Sequence, residues 1–299
     1  MPKLFALLLL LLPHCQHLLA QSLDPEAVLA TYVHTVGALA HDSLHGRPAG
    51  GAEEKLAIQI ISQQLQPHPG AQIQLQSFSF LAPDSAGKRK AQNILCFVDQ
   101  QADSTIVIGA HYDHIGMGGK RSNSIGKRAV HNGADDNASG VAMLLGLAQR
   151  FEEWKQPGYN YLFVAYSAHE VGLFGSEALA KKWKGKFKAP CLVLNFDMVG
   201  RMQPADPWFK VMGMERDSCM QAFFKENAQV GIHLGEDALL MQLDTRSFLA
   251  QGIRCLSLST GSHGDYHKVS DDVAKINFEG IWQVQLGVEA LLKQWPACR

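Results

Sequence analysis

The chain has 299 residues, of which 46% are hydrophobic and 18% charged, and its formal net charge is -1. This is a globular composition with material for one large core, which excludes a low-complexity or disordered chain. The near-neutral balance gives no reason to expect nucleic acid or another polyanion as a partner.

Met1-Pro2-Lys3 is a short basic start, followed by a leucine-rich run from Leu4 to Leu12. About nine apolar residues fall well short of the ~20 that span a bilayer. The run reads as a signal segment, residues 1–20, cut after the small residue Ala20. The mature chain, 21–299, is then expected to be a single exported domain, periplasmic or extracellular, with no stable membrane insertion. It keeps Cys96, Cys191, Cys219, Cys255 and Cys298. Export permits disulfides, but an odd count without close spacing leaves the pairing open. No Cys-x-x-Cys occurs, which argues against a cysteine zinc site, and Cys191 and Cys255 sit in apolar runs as core residues.

Apolar residues recur at helical spacing over Asp24–Leu39, with Ser22 or Asp24 as cap, and again over Glu53–Leu65. Ile73–Phe80 alternates strictly and predicts a half-buried edge strand. Asn93–Val98 and Thr105–Ala110 are continuous apolar runs, as in strands covered on both faces. Helix is expected over Val141–Phe151, Ser176–Trp183, Cys219–Asn227, Ser247–Gln251 and Phe278–Trp295. Strand is expected over Tyr159–Ala168, Cys191–Phe196 and Arg254–Ser259. Alternating strands and helices predict an α/β fold: a three-layer α/β/α sandwich with a mixed, largely parallel central sheet. In such sheets ligands bind beyond the carboxyl ends of the strands. His111, Glu170, Asp197 and His267 all fall there.

These four residues, with the Asp135-Asp136 pair in His-Asn-Gly-Ala-Asp-Asp-Asn-Ala-Ser-Gly (131–140), form a nitrogen and oxygen donor set. Such a set suits one or two zinc ions with a position left open for chemistry. One of the adjacent acids can bridge two cations while its neighbour, or Asn137, caps the following helix. Asp113, two residues past His111, is placed to orient that imidazole. His114 alternates to the opposite side. Asp197 ends a core strand, where a free carboxylate is costly unless paired or metal-bound. His131, His233 and His263 fit no ligand position and read as ordinary loop residues or as residues supporting the ligands from behind.

Five segments together carry a family resemblance: Gly109-Ala-His-Tyr-Asp113, Asn132–Gly140, Glu170-Val-Gly-Leu-Phe-Gly-Ser176, Asn195-Phe-Asp-Met198, and Asp265-Tyr-His267 with Asp271. In this order the chain resembles the co-catalytic di-zinc aminopeptidases. That family includes bacterial leucyl aminopeptidases, glutaminyl cyclases, glutamate carboxypeptidase II and the transferrin receptor ectodomain. The resemblance covers roughly residues 90 to 290. It implies two zinc ions per chain, bridged by Asp135, with His111 and Asp197 completing one site and Glu170 and His267 the other. It further implies that Asp113 orients His111 and that Tyr266 stabilises a developing oxyanion. Asp244 matches an acid common in the family, although its usual neighbouring histidine is Thr245 here.

One departure bears on chemistry. Where the family's peptidases carry Glu-Glu, with the first Glu as general base, this chain has His169-Glu170. Imidazole is a competent base near neutral pH, but neighbouring dications disfavour its protonated form. Three readings follow: an exported zinc aminopeptidase acting on peptides or amino-acid derivatives with His169 as base, a glutaminyl cyclase, and a non-catalytic zinc-binding member. The loop His114–Arg128, with Lys120, Arg121, Lys127 and Arg128, reads as a solvated rim that could favour acidic substrates.

Overall fold

The computed structural model describes residues 24–295 apart from 66–69, 82–86, 125, 127, 184–186 and 216. The expected signal segment (1–20), Cys15 and Cys298 lie outside the described residues. Helix α1 (Pro25–Leu39) begins with proline in its first turn, and the Asp24 carboxylate accepts from the Glu26 amide. Its buried Val28, Tyr32, Val36 and Leu39 recur every three or four residues, so one stripe faces the core. Helix α2 (Glu54–Leu65) follows a glycine-containing loop. Strands β1 (Ala71–Leu81) and β2 (Lys88–Val98) form an antiparallel pair, and β3 (Ser104–His111) is buried over seven of its eight residues. Then come α3 (Gly140–Gln149), the single turn α4 (Phe151–Trp154), β4 (Asn160–Tyr166), α5 (Phe174–Lys181) and β5 (Ala189–Phe196). The chain continues through β6 (Trp208–Met212), α6 (Ser218–Asn227), β7 (Gly231–Leu234), α7 (Arg246–Leu249), β8 (Cys255–Ser259) and α8 (Phe278–Gln294).

All eight strands join one sheet in the order β1-β2-β4-β3-β5-β8-β6-β7. The central run β4-β3-β5-β8 is parallel, and β1, β2 and β6 introduce the antiparallel pairings. The mixed, largely parallel sheet is as expected. Strand side chains alternate between its faces. Ile106 and Ile108 pack on one side with Tyr32, Leu144 and Val288 of α1, α3 and α8, whereas Val107 packs on the other with Leu179 and Phe248 of α5 and α7. These are the outer layers of the sandwich. Strand β2 starts five residues earlier than its apolar run because its first half is exposed and charged, while β6 and β7 were not anticipated. They are five and four residues long, too short to show a period. Cys96, Cys191 and Cys255 are free thiols in or against the core, and Cys219 is disulfide-bonded. Among the described residues no helix is long and apolar enough to cross a membrane.

Parallel strands end at one edge, and the loops leaving that edge are tied together by Arg47. Its guanidinium is fully buried and donates to five backbone carbonyls: Leu39 at the end of α1, Tyr112 just past β3, and Asn132, Gly133 and Asp136 in the approach to α3. Burial lowers its pKa to about 10, with Asp136 and other nearby acids opposing the shift, so it stays cationic at neutral pH. A buried carbonyl left without a donor costs ~1–3 kcal/mol. Arg47→Met is therefore expected to lower the unfolding free energy by ~3 kcal/mol or more in urea titration, and Arg47→Lys by less. A loss under ~1 kcal/mol for Arg47→Met would remove the residue from this role.

Candidate metal centre

The carboxyl ends of β3, β4, β5 and β8 deliver side chains to one buried spot. His111 is the last residue of β3, Asp197 follows β5 directly, Glu170 lies in the loop after β4 and His267 in the loop after β8. Asp136 enters from the turn before α3. Residues 136 and 137 have non-helical backbone angles there, and the peptide between them is cis. The turn needs Gly133: its φ is +57°, and a Cβ would lie 2.5 Å from the His114 ring. Asn137 caps α3, accepting from the Gly140 amide at 3.1 Å, as one of the two residues expected to do so.

Both expected ligand imidazoles are oriented by backbone carbonyls. His111 Nδ1 lies 3.1 Å from the Asp113 carbonyl, and His267 Nδ1 lies 2.9 Å from the Arg121 carbonyl. A carbonyl only accepts, so each ring carries its proton on Nδ1 and turns a lone pair on Nε2 inward. The two Nε2 atoms address the two oxygens of one carboxylate. His111 Nε2 is 3.3 Å from Asp136 Oδ1, and His267 Nε2 is 3.2 Å from Asp136 Oδ2. Asp197 Oδ2 lies 3.7 Å from His111 Nε2, and Glu170 Oε2 lies 3.2 Å from His267 Nε2.

The acid between the imidazoles is thus Asp136, which corrects the expectation for Asp135. The Asp135 carboxylate faces the other way. It accepts from Ser139 Oγ at 2.9 Å and the Gly200 amide at 2.7 Å, and it sits 3.0 Å from His263 Nε2. Asp271, fully buried, accepts from the amides of both Asp135 and Asp136 at 3.0–3.1 Å and so holds the pair of acids in register. Asp113 also acts differently from its expected part. Its backbone carbonyl meets His111, while its carboxylate accepts from the His169 and Glu170 amides at 3.0 and 3.3 Å and lies 3.9 Å from His111 Nδ1. Burial raises its pKa to about 6, with His111 opposing.

His114 joins the cluster that alternation excluded it from. The chain turns out of β3 after His111, and His114 Nδ1 comes to 2.9 Å from Glu170 Oε1. Two donor groupings result within 4.8 Å, His111 with His169 and Asp197, and His114 with Asp136 and Glu170. Burial opposes ionisation of Asp136, but the His111 and His267 rings that face it outweigh burial and hold the carboxyl well below its usual range. Three buried atoms converge here without a hydrogen-bond partner: Asp197 Oδ2 and the Nε2 atoms of His111 and His267. Buried polar atoms are otherwise almost always partnered. Imidazole nitrogens and carboxylate oxygens left open toward one point fit a divalent cation of the zinc type.

His169 stacks on the His111 ring, with centroids 3.8 Å apart and planes 12° from parallel. Its Nδ1 is 2.9 Å from Asp244 Oδ2, and its Nε2 is 3.9 Å from Asp197 Oδ2. Asp244 is fully buried, and burial opposes its ionisation, yet the His169 contact keeps its pKa below the ordinary value. Burial and His111 disfavour a proton on His169, but Asp244 and Asp197 prevail and raise it to about 9. Tyr266 stacks on His267 with centroids 4.0 Å apart, and its ring is partly exposed at the rim. Sequence reasoning missed Arg47, whose one signal was an arginine inside the Gly- and Pro-rich stretch His45-Gly-Arg-Pro-Ala-Gly50, and left the role of Asp244 open.

The model of peptidase family M28 matches residues 93–292. A probable zinc metalloprotease of Pyrenophora tritici-repentis is 35% identical over 107 residues, which is 36% of this chain and 23% of that protein. A probable leucine aminopeptidase of Arthroderma otae is 30% identical over 146 residues, 46% of this chain and 37% of that one. The matched stretches thus span well under half of these relatives. Among solved structures, the glutaminyl cyclase of Porphyromonas gingivalis superposes with a TM-score of 0.74 at 18% identity, covering 89% of this chain and 98% of that one. A leucine aminopeptidase precursor of Bacteroides thetaiotaomicron gives 0.72 at 17% identity, covering 89% and 96%. At such identities the two solved structures attest the fold alone. With two thirds of its length matched by the family model and the donor set in place, the chain belongs to peptidase family M28.

Proposed function

We propose that the protein is an exported zinc-dependent metallopeptidase, an aminopeptidase hydrolysing peptides or small amino-acid derivatives. The observation that carries this reading is the Asp136 carboxylate, with one oxygen toward His111 and the other toward His267. A carboxylate so placed would be shared by two zinc ions, with His111 and Asp197 holding one and Glu170 and His267 the other, and His114 close to the second. Bound zinc would polarise the scissile carbonyl and lower the pKa of an attacking water to ~7. Export rests on the leucine-rich start of the chain.

His169 acts as the general base. The Asp244 carboxylate cannot donate, so it accepts a hydrogen bond from the His169 Nδ1–H and leaves the Nε2 lone pair facing the reacting groups. Nε2 accepts a proton from the attacking water and passes it to the leaving amine. Bound zinc ions would work against the protonated ring and so keep the imidazole unprotonated until it takes that proton. Tyr266, at the rim beside His267, donates to the oxyanion of the tetrahedral adduct.

Two experiments test this. In the first, metal content is measured by mass spectrometry on purified protein and on two neighbouring variants. Asp136→Asn is expected to lose most of the zinc, and Asp135→Asn to retain it. Chelation should lower the melting temperature of the parent, since a ligand at 100 times its Kd stabilises by ~2.7 kcal/mol. Equal zinc loss in both variants would overturn the assignment of the shared carboxylate.

The second measures turnover of aminoacyl-amides and N-blocked peptides by zinc-loaded protein. A base typically contributes ~10²–10⁴-fold, so His169→Ala should fall by that factor and His169→Glu should recover part of it. Cleavage of free-amine substrates alone marks an aminopeptidase, and ring closure of N-terminal glutamine marks a cyclase. No turnover of any substrate by the zinc-loaded parent would reject the enzyme reading and leave a zinc-binding protein.

A further inference from the structure

One charged side chain at the site is used by nothing described so far. Beside Asp136, His169 and Asp197 opens a cavity of about 210 Å³, walled in part by Met198, Met212, Leu239 and Leu243. Among its lining residues the one Lys or Arg is Lys210. Lys210 lies mid-strand in β6, in register with Ser259 of β8. Its neighbours Phe209 and Val211 are buried in the core shared with α8, so alternation sends Lys210 and Met212 to the opposite face of the sheet. Gly235 makes room for both stems. A Cβ there would come within 2.8 Å of Lys210 Cδ and 2.4 Å of Met212 Cγ.

No ion pair joins Lys210 to a carboxylate among the described residues, and the side chain is half-buried. The other charged or titratable groups facing this cavity are Asp136, Asp197, His169 and Tyr266. All four already have parts at the metal centre. Lys210 is therefore the charge left over for whatever fills the cavity. A strongly hydrated ammonium is kept half out of water, against two methionines and two leucines, with no partner of its own. A second, more open cleft leaves the site past Glu170, Tyr266 and His267 and gives the rest of a peptide a separate path.

We propose that this cavity receives the side chain of the residue whose carbonyl is attacked, and that Lys210 selects a carboxylate there. The preferred substrates are then peptides and derivatives beginning with an acidic residue, glutamate above all. A glutamate side chain fits a cavity of this size, with its methylenes against the methionine and leucine wall and its carboxylate on Lys210. The proposal rests on the aminopeptidase reading for its catalytic consequence, but the pocket itself can be probed by binding.

The test compares kcat/KM for glutamyl-, leucyl- and lysyl-amides in the zinc-loaded parent, Lys210→Met and Lys210→Glu. The parent is expected to favour glutamyl- over leucyl-amide by ~10-fold or more, since an unmatched charged partner penalises the wrong side chain. Lys210→Met should invert that order while keeping leucyl turnover, and Lys210→Glu should raise the lysyl rate above the glutamyl one. The same three proteins are titrated calorimetrically with free glutamate and free leucine. Glutamate should bind the parent more tightly and lose that advantage in Lys210→Met. An unchanged glutamyl-to-leucyl ratio in Lys210→Met, in rates and in binding, would overturn the proposal. If the parent turns over nothing but still prefers glutamate in a Lys210-dependent way, the aminopeptidase reading fails and the pocket assignment stands.

Discussion

Carboxylates are gathered where water cannot reach them. Asp113, Asp136, Asp197, Asp244 and Asp271 are all buried at one edge of the sheet, and Glu170 stands beside them. An isolated buried carboxylate is costly, and several near one another repel. The surroundings answer that cost in three ways. Asp113 and Asp271 are satisfied by backbone amides, Asp244 by His169, and the remaining three acids by imidazoles whose Nε2 atoms face them. The last group is held least completely, since the imidazole nitrogens and Asp197 Oδ2 keep unused capacity. A divalent cation would supply the missing charge and the missing contacts together.

This constraint also explains why the loops are built as they are. Amide-bound carboxylates act as anchors for neighbouring ligand loops. Asp113, in the loop after β3, grips the His169-Glu170 backbone after β4, and Asp271, beyond β8, grips Asp135-Asp136 before α3. Arg47 adds a cation that pairs with carbonyls rather than with a side-chain acid, so it binds the loop backbones without consuming a ligand carboxylate. The ligands are thereby placed on rigid connections rather than on free loops, the condition for a precise metal geometry.

How much of this was legible in the sequence depended on the range of the deciding contact. The central strands announce themselves as apolar runs, so the strand-end positions of His111, Glu170, Asp197 and His267 could be read directly. Which of Asp135 and Asp136 faces the centre could not. The two are adjacent, and the choice is made by an irregular turn and by partners as distant in sequence as Gly200, His263 and Asp271, which claim Asp135 and align both backbones. Asp244 is 75 residues from the histidine it holds. His114 was excluded by extending the strand's alternation one step past its end. The short strands β6 and β7 left no periodic trace, although β6 carries Lys210.

The exchange at position 169 changes charge as well as basicity. A glutamate there would place a carboxylate beside Asp197 and the stacked His111 ring. With histidine that added charge is absent, and the Asp244 carboxylate behind the ring is buried and bound to it. The surface that an incoming substrate meets then carries one negative charge fewer. With two divalent ions bound, three ligand carboxylates would not neutralise them, and the centre would be left electropositive. An anionic group on the substrate loses less on entering such a site than it would beside a glutamate. The imidazole at 169 and the unpaired ammonium at 210 therefore pull in the same direction. On the proposed function, the histidine at 169 and an acidic side-chain preference would be two expressions of one electrostatic arrangement.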